Sequence, residues 1–176
     1  MKTLYFTHCC ATKDDSLKNT KAKVSPLHLY QSDTTQKFMK RCIETGVAWA
    51  IFSDKYGFVF PSDQIQWYEK HPNSVAIIEK KRLFDDAFKV LQDYDLVYFY
   101  YNPGRIHPLY LELVDEMKKR GKDVWKITHL ENIRKWMRHI HFKSLIISYM
   151  QQPQIVRAIA AIVVVVCVIY SEFPKR

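Results

Sequence analysis

The sequence predicts an α/β protein with a mostly parallel sheet of four to five strands. Short apolar runs with the residue types of buried strands alternate with longer segments in which apolar residues recur at a helical period. Polar residues, glycine or proline follow each apolar run. Strands that alternate with helices imply right-handed crossovers and a parallel sheet. A chain of 176 residues is most simply one domain with a sizeable core.

The first third of the chain predicts one strand and two helices. Leu4–His8 is short and mostly apolar, as expected of a buried strand, and the polar stretch 9–25 predicts a loop. Pro26–Tyr30 suits a short helical turn. A helix is expected over Asp33–Thr45, with Asp33 as its N-cap and Gly46 at its end. Its predicted inner face comprises Phe38, Cys42 and Ile43.

The central stretch predicts a strand, an irregular segment and a helix. Ala48–Phe52 has the length and composition of a buried strand and stops abruptly at Ser53. Prolines suggest that Tyr56–Ser74 is irregular. The helical period over Val75–Gln92 predicts a helix whose inner face comprises Ile77, Phe84, Phe88 and Leu91.

Two further strands are predicted on either side of another helix. Asp95–Tyr101 is a third strand, which Asn102–Gly104 breaks. A helix follows over Ile106–Arg120, with Pro108 in its first turn. Val124–Ile127 is the fourth strand.

The remainder of the chain differs in composition from the α/β part. We expect an α/β domain over 1–130, a basic amphipathic helix over 131–152 and a hydrophobic tail over 153–176. The apolar run Ala158–Tyr170 would span roughly 20 Å as a helix, short of a hydrocarbon core of ~30 Å. Residues 155–173 are long enough if Arg157 snorkels. The four consecutive valines of this tail equally suit a buried strand. The sequence therefore leaves two alternatives, a membrane anchor and a core strand or helix.

Positive charge is concentrated near the end of the predicted domain. The net charge is +9, and residues 118–143 hold most of it. Such a block suits nucleic acid or a lipid surface, and an ordinary solvated face has the same pattern. The candidate nucleic-acid-binding residues are Lys118, Lys119, Arg120, Lys122, Arg134, Lys135 and Arg138.

Several chemistries lack their sequence signatures. Four cysteines show no zinc-ligand spacing, and His139 and His141 do not share a helical face, so no metal site is expected. Neither phosphate-binding glycine motif is present, and no cofactor is expected. The chain starts without a signal-peptide pattern, so a cytoplasmic location with free thiols is expected, with a C-terminal membrane anchor as the alternative.

Polar side chains follow three of the predicted strands. In a parallel sheet these strand ends share one edge, where ligands bind. Lysines could balance an anion there, and Tyr56 could stack on a base. The candidate ligand-binding residues are Cys10, Thr12, Lys13, Ser53, Lys55, Tyr56, Gly57 and Asn102.

Catalysis has one candidate residue. A general acid or base must be positioned at the site, and Asp54 is the only carboxylate at the central strand end. A dyad of His8 with Cys9 is disfavoured, because adjacent strand residues point to opposite faces.

Three segments together resemble a known family. These are Cys9–Lys13, then Leu29–Ser32 with Phe38, then Phe52–Phe58 with Pro61 and Tyr68. They are similar to the patterns C-s-x-x-K, L-Y-x-S-x-x-F and L-S-A-K-Y-G-L-x-x-P of an uncharacterised family of small microbial and phage proteins. That family is similar to the uracil-DNA-glycosylase-like domain of archaeosine synthase and other tRNA-guanine transglycosylase relatives. The resemblance covers about residues 3 to 130.

The resemblance implies a three-layer Rossmann-like fold and a pocket for a nucleobase, nucleoside or nucleotide. Asp14 and Asp15 follow Lys13 where archaeosine synthase has proline and tyrosine, so its amidotransfer chemistry is not carried over. We expect a domain that binds a nucleobase or nucleotide, either free or within tRNA or DNA. As an enzyme it would be a glycosylase or base-modifying transferase. The alternative is a membrane-tethered, non-enzymatic interaction module.

Overall fold

The structure is a computed structural model, and it describes residues 1–134. This part of the chain is α/β, with a five-stranded sheet, a separate two-stranded sheet and four α-helices. No helix among these residues is both long enough and apolar enough to cross a membrane. The basic residues Lys135 and Arg138 and the tail 153–176 lie outside the described residues, as does nearly all of the predicted helix 131–152.

Four strands of the main sheet are parallel. In chain order they are β1 (Thr3–His8), β3 (Ala48–Ser53), β6 (Leu96–Tyr100) and β7 (Trp125–Ile127). β1 is central, with β3 on one side and β6 on the other, and β7 pairs with β6. The prediction of a mostly parallel α/β sheet is therefore confirmed.

The segment predicted to be irregular contains two strands. β4 (Gly57–Val59) turns back from β3 and forms the antiparallel edge of the main sheet. β5 (Ile65–Gln66) pairs with β2 (Lys23–Val24) in the two-stranded sheet. Strands of two or three residues are too short to show a period, so the pattern of the sequence did not reveal them.

The helices are α1 (Pro26–Leu29), α2 (Asp33–Thr45), α3 (Ile77–Gln92) and α4 (Pro108–Lys119). The N-cap of α2 is Ser32, not Asp33 as predicted, because the Ser32 hydroxyl accepts a hydrogen bond from the Thr35 amide. Gly46 ends the helix in the left-handed conformation, as predicted. Leu130–Asn132 form a 3-10 turn and Ile133 follows in extended conformation, so the first residues of the predicted basic helix 131–152 are not α-helical.

The core lies between the sheet and the helices. Phe38 of α2 contacts Trp49 and Tyr100, whereas Tyr110 of α4 packs edge-on against Phe52. Two predicted inner residues are wrong: Ile43 is 52 % exposed and Ile77 is 82 % exposed. Ile43 lies in the last turn of α2 and Ile77 is the first residue of α3. At these helix ends the apolar stripe extends beyond the contact with the sheet.

Candidate functional site

A cleft of about 320 Å³ lies at the carboxyl ends of the parallel strands. β1 is followed by α2 and then β3, whereas β6 is followed by α4 and then β7, so the chain leaves these two neighbouring strands in opposite directions. Such a switch point opens a crevice in which α/β proteins bind ligands. Polar ends of three strands meet there, as the sequence predicted. The strand-end residues that line the cleft include His8, Cys9, Cys10, Asp54, Tyr101 and Asn102.

Two helices begin at the cleft. Ser32, Thr34 and Thr35 line it from the first turn of α2, and His107 lines it from the start of α4. The Ser32 hydroxyl and the His107 Nδ1 each accept a backbone N–H, so side chains cap both helices. The positive ends of two helix dipoles are therefore at the cleft, together with Lys70 and Arg105.

Asp54 lies deep in the cleft and is 1 % exposed. The Cys9 thiol donates to its Oδ1 at 3.5 Å. Because that thiol has a single hydrogen, the Tyr110 hydroxyl, 3.3 Å from the sulfur, is the donor in their contact. Burial raises the pKa of Asp54, and the charges of Lys13 and Lys70 oppose this rise.

Cys9 is not an activated nucleophile. Burial, and then the charge of Asp54, raise the pKa of the Cys9 thiol to about 11. A nucleophilic cysteine needs a lowered pKa, since the thiolate is the reactive form. The thiol therefore serves as a hydrogen-bonding link between Asp54 and Tyr110.

His8 lines the cleft as a neutral ring. Its Nδ1 lies 2.8 Å from the Cys9 carbonyl oxygen, which only accepts, so Nδ1 carries the proton and Nε2 is the acceptor nitrogen. Burial lowers the pKa of His8. The ring stacks on Tyr110, with centroids 4.8 Å apart. Asp54 and His8 thus have pKa values displaced in opposite directions in one cleft.

Four of the predicted ligand-binding residues gather around Tyr68, beside the cleft. The Tyr68 hydroxyl lies 2.8 Å from the Ser53 hydroxyl and 3.0 Å from the Tyr30 hydroxyl. The ammonium groups of Lys13 and Lys55 lie 4.3 Å and 5.5 Å from the Tyr68 ring centre, and the Tyr56 ring packs edge-on against it. Lys13 also donates to the carbonyl of Cys10, which connects this cluster to the cleft lining.

The other four predicted ligand-binding residues, Cys10, Thr12, Gly57 and Asn102, lie in different places. Cys10 and Asn102 line the main cleft, whereas Lys55, Tyr56 and Gly57 line a separate cleft of about 300 Å³. Thr12 is exposed, and its carbonyl accepts from the Cys10 thiol and the Gln31 amide. The structure therefore divides the predicted set among the main cleft, the surroundings of Tyr68 and the separate cleft, and Thr12 lines neither cleft.

Several of the predicted nucleic-acid-binding residues are engaged by other groups. Arg120 pairs with Asp85 and Glu116, Lys119 pairs with Glu116, and Lys122 donates to the Tyr94 carbonyl. For Lys118, no ion pair is formed within residues 1–134. Arg134 lies at the end of the described chain, where its carbonyl accepts from the Tyr5 hydroxyl.

The sequence pattern did not predict the cleft residues that do not come directly after a strand of the main sheet. Lys70 and His71 lie between β5 and α3, and His107 and Tyr110 lie at the start of α4. His107 precedes Pro108, and a capping residue before a proline at N1 is a usable signal for a helix start at the ligand-binding edge. His71 has the same pattern, because it caps a 3-10 turn that begins at Pro72, whereas no such signal marks Lys70.

Comparisons with known proteins leave the site to be interpreted from its own geometry. The sequence matches no protein-family model, and no curated protein matches it significantly. Within residues 1–134, no three His, Cys, Asp or Glu side chains are grouped so that they could hold a metal ion.

Proposed function

We propose that the cleft binds a nucleobase, nucleoside or nucleotide, in a three-layer Rossmann-like domain similar to uracil-DNA-glycosylase-like domains. Phe38 of α2 packs on Trp49 and Tyr110 of α4 packs on Phe52, and these two β3 residues are three apart and so on opposite faces of the sheet, which supports the layering. The observation that carries the ligand class is the buried carboxyl of Asp54 in a cleft with aromatic neighbours. Bases present N–H donors and ring-nitrogen acceptors at their edges, and a carboxyl group reads such edges.

The other groups in the cleft fit the same ligand class. Asn102 accepts from the Gly104 amide through Oδ1, which leaves its amide hydrogens free to donate to the ligand. Tyr101 offers a ring for stacking. Arg105 and the two helix starts favour a negatively charged end such as a phosphate, whereas the Lys70 ammonium is paired with Glu79. The volume is in the range of small-molecule sites.

An enzymatic version is favoured by the opposite pKa displacements of Asp54 and His8. Pairs of groups whose environments separate their pKa values are the usual acid and base of an active site. Asp54 would donate a proton to a departing base and His8 would accept one through Nε2, as in a glycosylase or a base-modifying transferase.

Mass spectrometry of small molecules retained by the native full-length protein tests this proposal. We expect a nucleobase-type compound in the wild type, and its loss in Asp54→Asn and Asn102→Ala. Asp63→Asn is the matched control, because the Asp63 carboxylate accepts from the Phe60 amide outside the cleft lining. Retention unchanged in both cleft variants would reject the site.

A further inference from the structure

A lysine-rich surface surrounds Gln66 of β5. Lys23 pairs with Gln66 across the two-stranded sheet, and the Gln66 side chain donates to the Lys21 carbonyl at 3.1 Å. The Tyr56 hydroxyl donates to the Gln66 carbonyl at 3.4 Å. Lys55 lies 5.2 Å from the Tyr56 ring centre. We call this group, Lys21, Lys23, Lys55, Tyr56 and Gln66, the Gln66 surface.

The charges on the Gln66 surface are not neutralised by neighbours. Within residues 1–134, no carboxylate is in ion-pair contact with Lys21, Lys23 or Lys55. Lys18, which lies over the adjacent Trp67 ring, pairs with Glu69 at 3.6 Å. In the region around α4, by contrast, Arg120 forms ion pairs with Asp85 and Glu116. The three lysines are therefore available to pair with the phosphates of a polyanion.

One aromatic ring of this surface is open to a ligand. Tyr56 is 37 % exposed, and the Lys55 ammonium lies over its ring. Proteins that bind single strands combine a positive groove along the backbone with aromatic rings on which bases stack. A lipid surface is the less suitable partner, since the two most exposed isoleucines, Ile77 and Ile78, lie on α3 and not around Gln66.

We infer that the Gln66 surface binds single-stranded nucleic acid, with Lys21, Lys23 and Lys55 at phosphates and Tyr56 stacked on a base. The surface goes beyond the cleft and does not depend on what the cleft binds. The segment 66–71 runs from Gln66 to Lys70 and His71, which line the cleft. The segment 66–71 therefore connects the place where the nucleic acid binds, at Gln66, to the lining of the cleft.

Fluorescence anisotropy of the full-length chain with a labelled oligothymidylate of about 12 nucleotides tests the inference. The test variant is Lys21→Gln/Lys23→Gln, and the matched control is Lys37→Gln/Lys40→Gln, which removes two exposed lysines of α2 and changes the net charge equally. Counterion release predicts a salt slope smaller by about 1.4 in the test variant, and an affinity about 25-fold weaker at ~100 mM salt. The control should bind like the wild type.

A second variant separates stacking from charge. Tyr56→Leu should weaken binding by about 5- to 150-fold with an unchanged salt slope, and Tyr56→Phe should bind like the wild type. Asp54→Asn should leave oligonucleotide binding intact, so that failure of the cleft proposal and failure of this one are distinguishable.

Three outcomes would overturn the inference. Equal weakening of both double variants would mean that only net charge matters. Full affinity in Lys21→Gln/Lys23→Gln would move the contact elsewhere. Equal affinity for anionic phosphatidylserine vesicles, with loss of that affinity in the same variant, would identify a lipid surface instead.

Discussion

The Lys13 ammonium lies 4.3 Å from the centre of the Tyr68 ring, and Lys13 is only 8 % exposed. Its hydrogen bond goes to the Cys10 carbonyl, and within residues 1–134 no carboxylate is in ion-pair contact with it. Lysines are seldom so buried without a counter-ion. The face of the Tyr68 ring and the Cys10 carbonyl stabilise the Lys13 charge. The same charge acts on Asp54, where it opposes the rise in pKa that burial causes. Lys13 therefore acts on the cleft without lining it.

Replacing Lys13 with methionine should raise the pKa of Asp54 further. Methionine keeps most of the buried volume but removes the charge that opposes the effect of burial. Carboxyl-carbon NMR of the full-length protein across a pH series measures this directly. Lys55→Met is the control and should leave the Asp54 titration where it is. An unchanged pKa in Lys13→Met would show that the two groups are not coupled.

The stability of the fold should depend on pH through Asp54. Its pKa rises above the ordinary value of 3.8 on folding, so the folded protein binds more protons than the unfolded chain between 3.8 and the raised value. The free energy of unfolding contributed by Asp54 therefore falls as pH increases through that window. Asp54→Asn should gain stability relative to the wild type from pH 4 to pH 7, measured by urea unfolding.

Asp14 provides a control of opposite sign. Hydrogen bonds from the Ser16 hydroxyl and amide lower the pKa of Asp14, so its contribution is present at neutral pH and is lost as pH falls through the lowered pKa. Asp14→Asn should lower stability by a constant amount between pH 5 and pH 7, because the contribution is fully present there, and should reduce the further loss of stability at acid pH. Identical pH profiles for the two variants would contradict the assignment of the Asp54 effect.

The Tyr68 hydroxyl should stabilise the protein through two buried partners. Tyr68→Phe keeps the ring beneath Lys13 but leaves the hydroxyls of Ser53 and Tyr30, both fully buried, without that partner. We expect a loss of about 1–3 kcal/mol in the free energy of unfolding. Tyr56→Phe removes a partly exposed hydroxyl and should cost less than about 0.5 kcal/mol. Equal effects in urea unfolding would mean that the buried network contributes nothing.

Cys10 should be the reactive thiol of the described chain. It lines the cleft and is partly exposed, whereas Cys9 and Cys42 are buried and burial raises the pKa of both. Brief alkylation with iodoacetamide at neutral pH, followed by peptide mass spectrometry, should modify Cys10 and spare the other two. A ligand in the cleft should slow the reaction. Modification of Cys9 at the same rate would show that the cleft floor is open.

The sequence could predict those parts of the fold that have a period or a strong end signal. Ala48–Phe52 is apolar throughout because both faces of this strand are buried, and Gly46 marks the end of α2 because the helix ends in a left-handed turn. β4 and β5 were missed because two or three residues carry no period. Ile77 was assigned to the core because periodicity cannot tell where a helix leaves the sheet.

The sequence predicted at which edge of the sheet the candidate site lies, but not which side chains point into it. Cys10, Asp54 and Asn102 follow strands that the pattern of the sequence identified, and they meet in the cleft. Lys13 and Lys55 follow the same strands, but local turns direct them to Tyr68. The hydrogen bonds from the Lys55 and Tyr56 amides to Ser53 Oγ set that turn. Such side-chain directions depend on three-dimensional contacts that a single sequence does not encode locally.

The central position of β1 has a consequence for biosynthesis. Leu4 pairs with Ala48 on one side and with Val97 on the other, so its second neighbour is translated more than ninety residues later. At typical ribosomal speeds, β6 is synthesised roughly 5 to 20 s after β1. During that time this apolar strand lacks one of its two neighbours, and exposed apolar strands of this kind are prone to aggregation.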